Sequence, residues 1–161
     1  MVMGYAEAAT VIHAPIEAVW YSLNDIDHTP KWVVGLENAE IVSSGTYGLG
    51  SVYKDYNRLG PFPQVTEWRV TAFEPLTNQV HVSTSKVLPT TMRLSLAPAS
   101  EGTRLRMIVE YRFLPRLGIL SQIFERAVMN RLLSSVVKQN QRNLDAYLTA
   151  QTSAAPAPAL G

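Results

Sequence analysis

The chain of 161 residues is 47% hydrophobic and only 17% charged, carries a formal net charge of +1, and contains no cysteine. That length accommodates one domain with a real core, and the scattered Lys and Arg disfavour both nucleic acid and an acidic membrane surface as partners. Without cysteine there are no disulfides, no thiolate nucleophiles and no Cys-ligated metals.

The first element is a strand over Tyr5–His13, small and β-branched, ended by Ala14-Pro15. The proline ring fixes its own φ and pushes the residue before it out of the helical region. The opening MVMGYAEAATV lacks the basic-then-apolar pattern of a signal sequence, and no stretch reaches the roughly 18 apolar residues of a membrane span. The expected location is therefore cytoplasmic, with no integral membrane contact. Ile16, Val19, Trp20 and Leu23 fall on one helix face, with Pro15 suited to the first turn. Asn24-Asp25 and Asp27-His28-Thr29-Pro30 supply caps and turns, which keep this helical region short before a strand near Leu36–Ser43.

Ser43-Ser44-Gly45-Thr46-Tyr47-Gly48-Leu49-Gly50 reads as a hairpin loop. Strand-like runs follow at Ser51–Arg58, Gln64–Phe73, Gln79–Ser85, Thr90–Ala97 and Thr103–Phe113, divided by turn residues such as Leu59-Gly60-Pro61 and Ser100-Glu101-Gly102. Regular spacing without intervening helices predicts antiparallel meander pairing. The last run puts Leu105, Met107, Val109, Tyr111 and Phe113 on one face and Arg104, Arg106, Glu110 and Arg112 on the other, so one sheet face is buried and one is wet.

From Pro115 to about Ala150 the pattern is helical. Leu117, Leu120, Ile123, Phe124, Ala127 and Val128 form one stripe, and Leu132, Leu133, Val136, Val137, Leu144, Tyr147 and Leu148 form another nearly opposite. The apolar face changes sides near Met129–Arg131. Either the helix kinks there, or its first stripe meets a ligand, a lid or a second subunit. Residues 1–150 are expected as one domain and the Ala/Pro-rich 151–161 as a disordered tail.

Several chemistries are excluded by spacing. Gly48-Leu49-Gly50 lacks the Gly-Lys-Ser/Thr of a phosphate loop and precedes a strand, not a helix. His13, His28 and His81 show no ligand spacing, so neither a metal nor another cofactor is expected. His81, alternating with Val80 and Val82, reads as pointing to solvent. There is no Gly-x-Ser-x-Gly elbow, which leaves acid–base chemistry as the route open to an enzyme.

The segments Ala14-Pro15-x-x-x-Val19-Trp20, Pro30-x-Trp32, Gly48-x-Gly50, Trp68-Arg69-Val70 through Phe73-Glu74-Pro75, Gly102-Thr103-Arg104-Leu105 and Asn143-Leu144-Asp145-Ala146-Tyr147-Leu148 recur together in one known pattern. Over roughly residues 5 to 150 the chain resembles the SRPBCC superfamily, in its polyketide cyclase/dehydrase and lipid-transport-like branch. The resemblance implies an α+β helix-grip fold: a curved antiparallel sheet of about seven strands around the C-terminal helix, with two short helices between strands 1 and 2. It also implies that Tyr53 faces an internal cavity and that the glycine loop borders the entrance. Asp55 and Asn57 share the face of Tyr53. A carboxyl there would be held near neutrality and could take a proton next to a carbonyl, with Tyr53 as hydrogen-bond donor; a twisted strand would instead leave Asp55 at a solvated rim.

The alternation places Trp68, Val70 and Ala72 on one strand face and Met92, Leu94 and Leu96 on another. With Tyr111, Phe113, Leu120 and Phe124 they are the expected pocket lining, in concave space that one helix cannot fill. Three functions remain open: binding or transport of a small hydrophobic ligand such as a lipid, isoprenoid or polyketide; a cofactor-free cyclase or dehydratase using Asp55 and Tyr53; and an interaction module or homodimer docking through the Leu117–Val128 stripe.

Overall fold

Seven strands form a single antiparallel sheet in the order β1-β7-β6-β5-β4-β3-β2, as a computed structural model shows. Residues 2–59, 61–86, 88–113 and 119–154 are described, for 2, 59, 113 and 119–125 in backbone alone. The strands are β1 (Val2–Ile12), β2 (Leu36–Ile41), β3 (Val52–Leu59), β4 (Phe62–Glu74), β5 (Asn78–Ser83), β6 (Thr90–Ala99) and β7 (Gly102–Phe113). Between β1 and β2 lie helix α1 (Ile16–Asn24) and a 3₁₀ helix (Ile26–Lys31); helix α2 (Ile119–Ala154) ends the fold. This is the helix-grip α+β architecture. Among the described residues no helix is long and apolar enough to cross a membrane.

Among the described residues the β1–β7 pairing is the one strand pairing between elements far apart in sequence, with Val2 opposite Phe113 and Ile12 opposite Thr103. At the far end of that ladder a Cβ on Gly102 would stand 2.1 Å from the Ile12 carbonyl oxygen, and its φ is +148°. Glycine is the residue that permits this approach. In β7 the alternation is realised, since Leu105, Met107 and Tyr111 are buried and Arg104, Arg106 and Arg112 exposed.

One core brings Ile12, Val19, Leu23, Leu94, Leu105, Val137, Leu144 and Leu148 together, from β1, α1, β6, β7 and α2. Burying one such side chain contributes about 1.5–3 kcal/mol. A second, smaller core gathers Ile26, Leu36, Ala39, Tyr53 and Val70. Helix α2 is pinned by polar side chains as well as apolar ones. Gln141 Nε2 donates to the carbonyls of Ala8 (3.0 Å) and Leu105 (3.3 Å), Asn140 Oδ1 accepts from Val34 N (2.8 Å), and Asn143 Nδ2 donates to the Trp32 carbonyl (3.1 Å). The helix thus grips both the sheet and the segment that leads into β2.

Three expectations change. Helix α2 runs unbroken through Met129–Arg131 and extends to Ala154, so its last turn occupies residues assigned to the tail. Leu132, placed on the core stripe by its spacing, is 56% exposed, because buried Asn140 and Gln141 shift the centre of the inward face. In β4 the register slips between Val70 and Ala72. That bulge pairs Ala72 with Val80 and Phe73 with Gln79, turning Ala72 out of the file of Trp68 and Val70 and bringing Phe73 in. Phe73 packs against the rings of Trp20 (5.1 Å) and Tyr47 (6.1 Å).

Candidate functional site

Between the sheet and its helices lies a cavity of about 290 Å³, at the small end of the roughly 300–1,000 Å³ usual for ligand sites. Its sheet wall comes from β3 (Tyr53, Asp55, Asn57), β4 (Trp68), β5 (His81), β6 (Thr90, Met92, Leu94) and β7 (Met107, Val109). The opposite wall comes from α1, the 3₁₀ helix and Trp32–Leu36, together with Leu133, Val136, Val137 and Asn140 of α2. Asp55 is the one carboxylate in the described lining, and no Lys or Arg accompanies it.

Asp55 reaches the cavity because β3 alternates regularly: Tyr53, Asp55 and Asn57 point inward and pair across to Trp68, Thr66 and Gln64. Burial pushes its carboxyl up to about 7, since a charge taken from water without a cation beside it is disfavoured. The Trp68 indole N–H opposes this in part. That N–H is nevertheless buried without an acceptor in hydrogen-bonding geometry, so it acts on Asp55 through its dipole and not through a formed bond. The Tyr47 hydroxyl is also buried without a partner, and both burial and the charge of Asp55 raise its pKa.

Tyr53 is fixed from two directions. Its ring lies nearly parallel to that of Trp68, centroids 6.5 Å apart and planes at 16°. Its hydroxyl is 2.6 Å from His81 Nδ1, while His81 Nε2 is 3.0 Å from Gln79 Oε1. An amide oxygen can only accept, so Nε2 carries the proton, Nδ1 is the acceptor, and Tyr53 donates to it. Desolvation holds the His81 pKa down to about 4, which keeps the ring neutral at ordinary pH. The Tyr53 hydroxyl is thereby committed as a donor to His81.

His81 corrects the sequence reading: it is 1% exposed and faces inward. The misleading signal was Val80 and Val82, taken as the buried face by their hydrophobicity. Register carried the opposite signal, because His81 pairs with both Val70 and Met92, and cross-strand partners share a face.

Of the expected lining, Tyr53, Asp55, Trp68, Met92 and Leu94 border the cavity. Val70, Ala72, Leu96 and Tyr111 do not. Val70 is packed within the second core, and Tyr111 is buried over Gly4 with its hydroxyl donating to Asn130 Oδ1 at 2.7 Å. Phe113, Leu120 and Phe124 lie outside the described side chains, as does most of the Leu117–Val128 stripe, of which Ala127 and Val128 are exposed. The glycine loop contributes no lining residue; Gly50, at φ +83°, bonds through its N–H to the Val70 carbonyl at 2.8 Å. Among the described helix residues, Leu133, Val136, Val137 and Asn140 line the cavity.

Comparison with known proteins agrees with this geometry. The di-domain ARO/CYC StfQ of the steffimycin biosynthetic pathway has a TM-score of 0.76 at 16% identity, over 94% of this chain and 52% of its own. The Zhui aromatase/cyclase from Streptomyces sp. R1128 gives 0.72 at 13%, over 95% and 98%. Ara h 8.0201 gives 0.68 at 15%, over 92% and 99%. Such low identities show shared fold alone. No curated protein matches the sequence. Residues 3–149 match the family model described as polyketide cyclase/dehydrase and lipid transport, and since that match spans nearly the whole grip, the chain belongs to this family.

Proposed function

We propose that this protein binds a small hydrophobic molecule in the cavity between sheet and α2. The observation that carries the reading is the cavity itself, preformed, about 290 Å³, and walled mostly by Leu, Ile, Val, Met and Trp side chains. Apolar surface left facing a void forgoes both burial and dispersion contacts, which a ligand of matching shape restores. Native mass spectrometry of freshly purified protein, followed by solvent extraction, tests it. A co-purifying apolar molecule is the expected result; an empty protein that also fails to take up apolar probes overturns the reading.

A second reading is favoured by one residue. Asp55, with its carboxyl near 7 in an apolar wall, suits general acid–base work close to neutral pH, and two structural relatives are named as aromatase/cyclases. A cyclase or dehydratase using Asp55 predicts that Asp55→Asn removes turnover of a bound polyketide-like substrate while leaving its binding near intact. Equal loss of both counts against it. Tyr53 serves this chemistry as a fixed acceptor or through its ring, because its O–H is already donated to His81 Nδ1.

A further inference from the structure

The corner of the cavity at Asp55 and Trp68 combines features that the apolar walls do not explain. Asp55 stands without any cation in the described lining. The Trp68 N–H beside it is buried and has no acceptor. Orphaned donors of this kind are rare in folded proteins and cost about 1–3 kcal/mol when nothing satisfies them. The groups that face Asp55 offer no relief: Tyr53 gives its proton to His81, and Tyr47 and Trp68 are donors without partners. A ligand that leaves this corner empty would bury these groups further from water.

We infer that the Asp55–Trp68 corner receives an uncharged oxygen, a carbonyl or hydroxyl, of a compact and otherwise apolar ligand, and rejects carboxylates of the same shape. This rests on the cavity-binding reading and names its ligand class. The ligand oxygen accepts the Trp68 N–H and, when Asp55 is protonated, its O–H as well. A ligand carboxylate meets the Asp55 charge in a low-dielectric site with no Lys or Arg in the described lining to offset it, so like-charge repulsion and desolvation act together. The small volume restricts the apolar body to about the bulk of a bicyclic ring system or a short isoprenoid.

The test uses three bicyclic probes on the delipidated full chain at pH 8: tetralin, 1-tetralone and tetralin-1-carboxylate. Binding is read by calorimetry and by the NMR shift of the Trp68 indole N–H. The expected order is tetralone first, tetralin about 2–10-fold weaker for want of one hydrogen bond, and the carboxylate weakest. The indole proton should move downfield with tetralone and not with tetralin. Trp68→Phe should bring tetralone to the level of tetralin, and Asp55→Asn should narrow the gap between tetralone and the carboxylate. Failure of all three probes overturns the cavity-binding reading and this inference with it. Tetralin bound as tightly as tetralone, a carboxylate bound as tightly as either, or an unmoved indole proton overturns this inference alone. Asp55→Asn preserves side-chain shape and Trp68→Phe keeps an aromatic ring in the wall, and circular dichroism verifies that each variant is folded.

Discussion

The two halves of the sheet are solved by different physics. Around β1, and around β6 and β7 near Leu96 and Leu105, the concave face is filled by aliphatic side chains, with Ile12, Leu105 and Leu144 entirely shielded from solvent, while Met92 and Val109 farther along those two strands face the cavity. Around β3, β4 and β5 it is lined by Tyr53, Trp68, His81 and Asp55, held by stacking and by the chain Tyr53–His81–Gln79. Close packing suits the half that has to be solid. Directional hydrogen bonds suit the half that has to stay open, because they fix side chains that have too few neighbours to be wedged in place.

The largest effect should separate the halves directly. Leu144→Ala, in the filled half, is expected to cost about 2–5 kcal/mol, since both buried methyls and their contacts are lost and the site cannot collapse. Met92→Ala, at the cavity wall, should cost markedly less, because its side chain already faces space on one side. Chemical denaturation measures both. Equal costs would mean that the cavity closes in solution, and the contrast between the halves would fail.

Next comes the charge in the open half. The Asp55 carboxyl lies at about 7 when folded against 3.8 when free. Between about pH 4 and pH 7 the native state therefore keeps a proton that the unfolded state has lost, so stability from this group is full below pH 4 and declines as pH rises through 7. The difference is on the order of 4 kcal/mol. Asp55→Asn should flatten this decline and leave the variant more stable than the parent at pH 8, as seen in melting temperatures across the range. A parallel decline in parent and variant would remove Asp55 as its origin.

How much of this was legible in the sequence follows the same division. The filled half announces itself: in β7 Leu105, Met107, Val109 and Tyr111 alternate with Arg104, Arg106, Glu110 and Arg112, interrupted on the charged face by Ile108 alone, because one face is dry and the other wet. The open half inverts the code. Gln79, His81 and Ser83 are polar and buried while Val82 is less so, since polar groups bonded to one another can face inward. Hydrophobicity alone reads such a strand backwards. The slip after Val70 that exchanges Ala72 for Phe73 is a backbone event with no residue signature, visible only once β4 is paired to β5. Asp55 was legible because β3 keeps strict alternation, though the lack of a counter-charge in the described lining depends on what α2 and the Trp32–Leu36 segment bring to the opposite wall.

The smallest predicted effect tests whether hydrogen bonding does hold the open half. Tyr53→Phe keeps the ring and its stacking on Trp68 but removes the proton that Tyr53 gives to His81 Nδ1. A buried acceptor left unpaired costs about 1–3 kcal/mol. Gln79 Oε1 still requires a proton on Nε2, so the His81 tautomer should persist, and ¹⁵N shifts of the ring report it. If Tyr53→Phe costs nothing and the tautomer is retained, the hydroxyl is ornamental and the wall is held by ring packing alone. If the cost appears and the Trp68 and Phe73 rings become mobile on the NMR timescale, the hydrogen-bonded chain is what keeps the cavity open, and the two halves differ in mechanism as well as in composition.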